Sequence, residues 1–457
     1  MDTAMSESAY ERVKLIQDSL PTEGLFKDKH WRITPYPFVI SKKTSKKIHE
    51  LGNYLLNYLR ACNTIYHQSL RGKAPDWIAS YLDAGKPKSL IEQGKHKSYT
   101  NDIPKVIRPD LILNEESFAI TELDSVPGGI GLTAWLNKTY SSLGDNIIGG
   151  SMGMIEGFKN ILPRGGDILI SEEASDYKPE MEWLTKEIND SKTKESYEVL
   201  NAENYKINDR DIYRFYELFD LKNIPTAEDI FDHSASGTIT MTSPHKAYLE
   251  EKMWSALLHS RALRENWMNL IRQSQLNKLQ SYIPYSWIID PGPVPHYAEL
   301  PGLGINNWNQ LNEFSKTQRE LVLKISGYSE LAWGSRSVKI GHDLSSKEWK
   351  KAVETAISDF PKQPWILQKH IKSKVFEHPF WDKEKNKIIK INVRGRLCPY
   401  FFVSSNHQSM TEVALGGILA TLVPSDKKII HGMSEACLLY TSPSPRDRSL
   451  SRMPSSA

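Results

Sequence analysis

The chain has 457 residues, a length that predicts two or three domains at roughly 100–200 residues per domain. Its 58 lysines and arginines nearly balance 55 aspartates and glutamates, and the net charge of +3 gives no electrostatic footprint for nucleic acid or a membrane surface. No apolar run approaches the roughly 20 residues of a membrane helix, the start does not resemble a signal peptide, and the three cysteines fit no disulfide framework or metal site. We therefore expect a cytoplasmic protein with no nucleic-acid or membrane partner, while its oligomeric state stays open.

The first part of the chain, 1–105, is predicted to be mainly helical. Apolar residues recur there at helical spacing from about residue 45 to residue 83. An acidic hairpin is then predicted over 106–124, where two apolar stretches flank the turn NEES. A turn over 114–118 would set Ile112 opposite Ile120 and place the charged residues of both strands on one face. A turn one residue shorter would put Asp110 on the opposite face and weaken the case for a metal site.

In this register Asp110 faces Glu122, and Arg108 faces Asp124. Three carboxylates so close together repel one another unless a cation lies among them. Mg²⁺ favours such carboxylate oxygens together with substrate phosphates. We therefore predict a Mg²⁺ site at Asp110, Glu122 and Asp124. The alternative, a solvated hairpin face with a salt bridge from Arg108, stays open on spacing alone.

The middle of the chain divides by composition. The segment 106–150 contains the hairpin and the Gly-rich stretch SVPGGIGLTAW. A small α/β domain is predicted over 151–245, because DILIS, PEMEWLTKEI and SYEVLNAENY have the patterns of a strand, a helix and a strand. The segment 246–309 is predicted to be helical, and it ends in the Pro- and Gly-rich linker DPGPVPHYAELPGLG.

The segment 310–436 has the order strand, loop, helix and strand that suits a nucleotide site. Lys324 interrupts the apolar strand ELVLKIS, with an edge lysine that blocks aggregation as the alternative. The loop after it lacks the P-loop pattern but holds small residues whose backbone N–H groups could face phosphate: Ser326, Gly327, Ser329, Gly334 and Ser335. A capping box at Ser345 predicts the start of a helix, and PWILQKHI follows as a strand.

Residues 437–457, CLLYTSPSPRDRSLSRMPSSA, are predicted to be disordered. They are rich in Ser, Pro and Arg and have no apolar periodicity. They also resemble translated adapter sequence found on unrelated metagenome-derived reading frames, which would make this tail an artefact and let the natural chain continue past Ala436. The alternative is a natural disordered tail.

The order of these features resembles the ATP-grasp superfamily, specifically the circularly permuted branch that includes glutathionylspermidine synthase. In most ATP-grasp enzymes the nucleotide lysine precedes the metal acids, whereas here the acids at 110–124 precede Lys324. The resemblance implies an α+β / α/β fold class, a circularly permuted ATP-grasp with a small α/β pre-ATP-grasp-like domain, in which 106–150 completes the core formed by 310–436. It also implies an ATP- and Mg²⁺-dependent ligase that joins a small-molecule carboxylate to an amine through an acyl phosphate.

The same resemblance assigns roles to individual residues. Arg108 would contact phosphate as a catalytic residue, and Asp110, Glu122 and Asp124 would ligate Mg²⁺, although Asp124 stands where the family usually has Asn. The segments TSPHKAYLEEKMW, LVLKIS and WILQKHI resemble those that hold ATP, which places the following residues at the nucleotide: Lys252, Lys324, Ser326, Gly327, Leu367 and Gln368.

Several assignments stay open. Lys252 has the alternative of an exposed helical residue. The family's late arginine is missing from GGILAT, and Arg394 or Arg396 would replace it as a catalytic residue. Acidic residues between the hairpin and the lysine strand could bind a cationic amine, with a solvated surface as the alternative: Glu172, Glu173, Glu203 and Glu217. The alternatives for function are an ATP-grasp phosphotransferase and a non-catalytic nucleotide-binding regulator.

Overall fold

The structure is a computed structural model that describes residues 2–21, 32–191, 194–293, 295, 298–332, 336–382, 384–405, 411–427, 430 and 437–443. The helices in these residues are α1 (Asp2–Asp18), α2 (Lys42–Leu70), α3 (Trp77–Asp83), α4 (Lys88–Lys95), α5 (Ile130–Ser142), α6 (Gly153–Ile161), α7 (Lys178–Asp190), α8 (Ala227–Ala235), α9 (Trp254–His259), α10 (Arg264–Leu270), α11 (Gln273–Tyr282) and α12 (Ser346–Asp359).

The strands in the same residues are β1 (Phe38–Ile40), β2 (Val106–Leu113), β3 (Phe118–Asp124), β4 (Gly166–Ile170), β5 (Tyr197–Asn201), β6 (Ile212–Phe215), β7 (Met241–Thr242), β8 (Ser286–Ile288), β9 (Leu321–Ile325), β10 (Lys339–Ile340), β11 (Trp365–Lys369), β12 (Val375–Asp382), β13 (Lys387–Ser405), β14 (Thr411–Pro424) and β15 (Cys437–Pro443).

The largest sheet has the strand order β1-β15-β14-β13-β2-β3, with β12 also paired to β13. Helices cover both of its faces. Neighbouring residues of a strand point to opposite faces of the sheet, so two adjacent residues of β13 contact two different helices. Gly52 of α2 lies so close to Phe401 that an added Cβ would be 2.6 Å from the ring, and a Cβ added to Gly157 of α6 would be 2.2 Å from the ring of the adjacent Phe402. The predicted acidic hairpin is thus an edge of a sheet with a helical layer on each side.

A smaller antiparallel sheet has the order β10-β9-β11-β8 and carries Lys324 on β9. Its apolar core is separate from that of the large sheet and includes Trp349 and Val353 of α12. The predicted capping box is confirmed, because Ser345 Oγ accepts from the Glu348 backbone N–H and Glu348 Oε2 accepts from the Ser345 N–H. This small sheet stands next to the hairpin, and the loop after β9 lines a cleft.

A parallel sheet with the order β5-β4-β6-β7 occupies the middle of the chain. Strands β4 and β5 pair in parallel and α7 connects them, so the predicted strand-helix-strand unit is confirmed. The mixed α+β and α/β character of the fold class is therefore confirmed, whereas the circular permutation, the ATP-grasp assignment and the domain boundaries stay predictions. Among the described residues, no helix is long and apolar enough to cross a membrane.

The prediction of a disordered segment from Cys437 onward is wrong for its first part. Strand β15 pairs antiparallel with β14 and parallel with β1. The physical reason is that β14 offers an open edge, and the apolar and β-branched letters CLLYT suit a strand that fills it. Residues 444–457 lie outside the described residues.

Candidate active site

The acidic hairpin has the charged register that was predicted, although it reaches this register differently. Arg108 pairs with Asp124, and Asp110 pairs with Glu122. The predicted pairing of Ile112 with Ile120 is wrong, because the register shifts between Asp110 and Leu111 and Ile112 lies opposite Ala119. The turn is shorter than predicted, because Leu113 already pairs with Phe118. A β-bulge at residue 121 compensates for the missing residue, so the charged residues keep a common face.

The bulged residue Thr121 also connects the hairpin to the small sheet. Its carbonyl oxygen accepts a hydrogen bond from Lys324 Nζ at 3.1 Å. The same ammonium donates to Gln368 Oε1 at 2.9 Å and is almost fully buried. Burial lowers the pKa of Lys324 to about 8, against the opposing effect of nearby Glu122. The structure thus holds a buried lysine beside the acidic hairpin, without a direct carboxylate partner among the described residues.

Asp110 is enclosed by cationic donors. Its carboxylate accepts from Arg108 Nε at 3.1 Å and from Arg396 Nη1 at 2.8 Å, and the Cys398 thiol lies 3.4 Å away. Although burial opposes ionisation, Arg396 and Arg108 hold the pKa of the Asp110 carboxyl below its usual range. Arg108 also pairs with Asp124 at 2.9 Å, yet burial keeps the pKa of the Asp124 carboxyl raised. Asp110 is therefore the counter-ion of two arginines.

Glu122 has a cationic partner as well. Lys252 Nζ lies 2.9 Å from Glu122 Oε1, and it also donates to the Ala332 carbonyl oxygen at 3.2 Å. Burial disfavours the ammonium, but Glu122 more than compensates and raises the pKa of Lys252. Lys252 is therefore held in the site and is not an exposed helical residue.

These ion pairs decide how the acidic hairpin fits a metal ion. Asp110, Glu122 and Asp124 each have an arginine or lysine at ion-pair distance. Across the described ranges, no group of three or more His, Cys, Asp or Glu side chains is arranged to hold a metal ion. As arranged, the three carboxylates do not fit Mg²⁺, and the metal site stays a prediction.

A cleft with about 650 Å³ of open space lies between the hairpin, the parallel sheet and the loop after β9. Its charged lining residues are Glu122, Asp124, Glu217, Glu250 and Lys252. Burial and the neighbouring Glu250 raise the pKa of Glu217 to about 8. Burial also raises the pKa of Glu250, although the fully buried Arg214 forms an ion pair with it. The cleft is therefore rich in carboxyl groups, and Glu217 is the one among them whose pKa is raised to about 8.

This arrangement of sheets has a counterpart among solved structures. The chain shares its fold with a glutathione synthetase like-effector, GSS30, from Globodera pallida, at a TM-score of 0.57 and 11% identity over 96% of each chain. A protein from Methylobacillus flagellatus KT that is named for gamma-glutamylcysteine synthetase aligns with a TM-score of 0.40 and 11% identity, over 88% of this chain and 89% of that one. No protein-family model matches the chain, and no curated protein matches it in sequence.

The remaining predicted nucleotide residues have other partners. Leu367 packs in the core of the small sheet, and Gln368 donates to Ser286 Oγ at 3.1 Å while it accepts from Lys324. Gly327 lines the cleft, whereas the Ser326 hydroxyl donates to Glu251. The adenine contacts of Leu367 and Gln368 stay predictions, and Gly334 and Ser335 lie outside the described residues.

Only some of the candidate arginines and acids lie at the site. Arg396 reaches Asp110, whereas Arg394 donates to the carbonyl oxygens of Ser373 and Ser425 at 2.7 and 2.8 Å. Of the acids considered for an amine, Glu217 lines the cleft. Glu173 instead forms an ion pair with Arg336 at 3.5 Å, and Glu203 accepts from the backbone N–H of Glu172 at 2.8 Å.

Sequence reasoning missed the groups that surround the predicted residues. Glu250 lines the cleft, the buried Arg214 forms an ion pair with it from behind, and Glu251 contacts the loop after β9. The run LEEKMW, with two acids directly before Lys252, was the available signal for Glu250 and Glu251. No local pattern pointed to Arg214, whose ion-pair partner Glu250 comes from another segment of the chain.

Proposed function

We propose that this protein is an ATP-dependent ligase that joins a small-molecule carboxylate to an amine through an acyl phosphate. The observation that carries the proposal is the meeting of Lys324, Lys252 and Arg108 of the hairpin beside a cleft that is lined by carboxyl groups. Cations suit the phosphates of ATP, and a carboxyl group without a cationic partner among the described residues suits proton transfer from the incoming amine. The fold shared with a glutathione synthetase like-effector is consistent with this chemistry.

The cationic side chains would act on the phosphates. An oxygen of the substrate carboxylate attacks the γ-phosphorus, ADP leaves, and the acyl phosphate forms. Lys324 is poised to neutralise charge that develops on the transferred phosphoryl group, since its ammonium is buried where a charge interaction is strong. Lys252 can add a second positive charge once its ion pair with Glu122 opens.

Glu217 would act on the amine. Within the described part of the chain its side chain has no hydrogen bond or ion pair, whereas Glu122, Asp124 and Glu250 each have a cationic partner. An amine enters as an ammonium ion and must lose a proton before its nitrogen attacks the acyl carbonyl carbon. A carboxylate with a pKa of about 8 is matched to that transfer near neutral pH. Phosphate then leaves with the carboxylate oxygen, and the amide remains.

The raised pKa of Glu217 predicts a pH-dependent stability difference. Between its unfolded pKa of roughly 4.3 and its folded pKa of about 8, the native state binds more protons than the unfolded state, so stability falls as the pH rises. We expect Glu217→Gln to be more stable than the wild type by about 3–5 kcal/mol at pH 8, with a difference of only about 1 kcal/mol at pH 5. Urea unfolding at both pH values measures the change.

The exposed Glu198→Gln is the matched control, because it removes a carboxylate of the same type from the surface of β5. It should show no such pH dependence. Equal stability of Glu217→Gln and the wild type at pH 8 would show that Glu217 is an ordinary solvated carboxylate.

The ligase proposal is tested by trapping the intermediate. Protein, Mg-ATP and hydroxylamine are incubated with a panel of amino acids and small peptides, and the products are analysed by mass spectrometry. A hydroxamate that forms only with ATP and a particular carboxylate is the expected result, because hydroxylamine attacks an acyl phosphate. ATP turnover that gives a stable phosphorylated product, without hydroxamate, would instead identify a phosphotransferase.

Two observations favour a second candidate, a non-catalytic nucleotide-binding regulator. The carboxylates that resemble metal ligands are already neutralised by Arg108, Arg396 and Lys252, and one structural neighbour, GSS30, is named an effector. Saturable ATP binding without turnover on any member of the carboxylate and amine panel would support this candidate over the ligase.

A further inference from the structure

A buried network of ion pairs and hydrogen bonds lies behind the cleft, and it begins in the N-terminal helical region. Lys86, between α3 and α4, donates from Nζ to the Leu82 carbonyl oxygen at 2.6 Å and pairs with Glu251 Oε1 at 2.5 Å. Both charged side chains are only 2% exposed. A pair this well buried is costly to form, because both charges lose their hydration, and further hydrogen bonds must offset that cost.

The other oxygen of the Glu251 carboxylate extends this network to the small sheet. Glu251 Oε2 accepts from the Ser326 hydroxyl at the end of β9. Ser326 Oγ in turn accepts from the Met253 backbone N–H at 2.9 Å, and the Ser326 carbonyl oxygen accepts from the Lys252 N–H at 2.7 Å. The backbone on either side of the Lys252 side chain is therefore tied to the first residue of the loop after β9.

The packing around this contact leaves little freedom. A Cβ added to Gly327 would lie 2.8 Å from the Glu251 carboxyl group, so the loop can approach only because that position is a glycine. Tyr328 follows with a positive φ of 42°, and its ring centroid lies 5.9 Å from Lys86 Nζ. Gly327 and Tyr328 both line the cleft.

We infer that Lys86, Glu251 and Ser326 are positioning residues that lock the Lys252 backbone and the 326–329 loop together, so that the N-terminal region holds one wall of the nucleotide cleft. This inference rests on the proposed function for its link to ATP. The locking of the loop is a separate matter that hydrogen exchange measures directly.

The first experiment compares Lys86→Met with the wild type by hydrogen exchange of the amides of 251–254 and 326–329. Removal of the ammonium leaves the Glu251 carboxylate buried without its counter-ion, so the contact with Ser326 should loosen. We expect exchange in both segments to be at least about 10-fold faster. Ser326→Ala removes only one hydroxyl group and provides a milder variant, with faster exchange expected at Met253 if Lys86→Met folds poorly.

Two further variants separate positioning from general damage. Lys222→Met is the matched control, since Lys222 forms an exposed ion pair with Glu330 just beyond the loop, and it should leave exchange unchanged. The double variant Lys86→Met/Glu251→Gln should recover most of the wild-type protection. It removes both buried charges, while the amide oxygen of Gln can still accept from Ser326.

Calorimetric titration with ATP then tests the link to the site. We expect about 10-fold weaker binding by Lys86→Met and a partial recovery in the double variant. Unchanged exchange in Lys86→Met and Ser326→Ala would overturn the inference, and so would faster exchange with undiminished ATP affinity. A wild type that binds no ATP would instead overturn the proposed function, and the exchange data would still decide whether the network locks the loop.

Discussion

Replacing Asp110 with alanine is expected to lower the free energy of unfolding by about 3–5 kcal/mol, because it leaves two guanidinium groups without their shared counter-ion. Arg108 and Arg396 both contact this carboxylate, which is 5% exposed. Urea unfolding without added metal measures the loss. The double variant Asp110→Ala/Arg396→Met should regain part of the stability, since one stranded charge is removed.

The sign of this change separates two interpretations of the hairpin. If the acids mainly repel one another in the absence of a metal ion, Asp110→Ala would stabilise the metal-free protein. Glu116→Ala provides the control, since this exposed acid lies in the turn of the same hairpin and should shift stability by no more than about 0.5 kcal/mol. If Asp110→Ala stabilised the protein, repulsion between the acids would outweigh the ion pairs that Asp110 forms with the two arginines.

Lys324→Met is expected to weaken ATP binding by about 10- to 150-fold, which corresponds to the loss of about 1.5–3 kcal/mol from a charged hydrogen bond. The melting temperature should stay unchanged or rise. Burial lowers the pKa of Lys324 to about 8, so the folded state bears a cost for this charge at neutral pH. Removing the charge offsets the two lost hydrogen bonds to Thr121 and Gln368.

Calorimetry and a thermal scan on the same samples measure both parts of this prediction. Lys351→Met, on the exposed face of α12, is the matched control and should change neither quantity. Undiminished ATP affinity in Lys324→Met would remove this lysine from the site. A large loss of stability would mean that Lys324 is held for folding and not for a ligand.

Short-range patterns predicted much of the fold. The Ser345 capping box, the β4-α7-β5 unit and the strand that carries Lys324 all depend on residues close together in the chain. Two features could not be predicted in this way. Strand β8 is only three residues long, and β15 gains its structure from the open edge of β14. Both strands are specified by the sheet that they join more than by their own sequence.

In the candidate site, too, the features that depend on nearby residues could be predicted, and those that depend on distant residues could not. Alternation along two strands placed Asp110, Glu122 and Asp124 on one face, as the pairing shows. Their counter-ions are distant in sequence: the hydrogen bond from Arg396 to Asp110 spans 286 residues. A cluster of acids looks like a metal site until such partners are known, because the repulsion that predicts a cation does not say whether it is a metal ion or a side chain.

The most direct test of the ligase account follows the oxygen atoms of the carboxylate. A substrate found in the hydroxylamine screen is labelled with oxygen-18 in its carboxylate group and incubated with protein, Mg-ATP and its amine. Mass spectrometry of the released phosphate should show one labelled oxygen per phosphate, because the acyl phosphate breaks between carbon and oxygen. Unlabelled phosphate, or a phosphoryl group that stays on the product, would contradict the ligase mechanism.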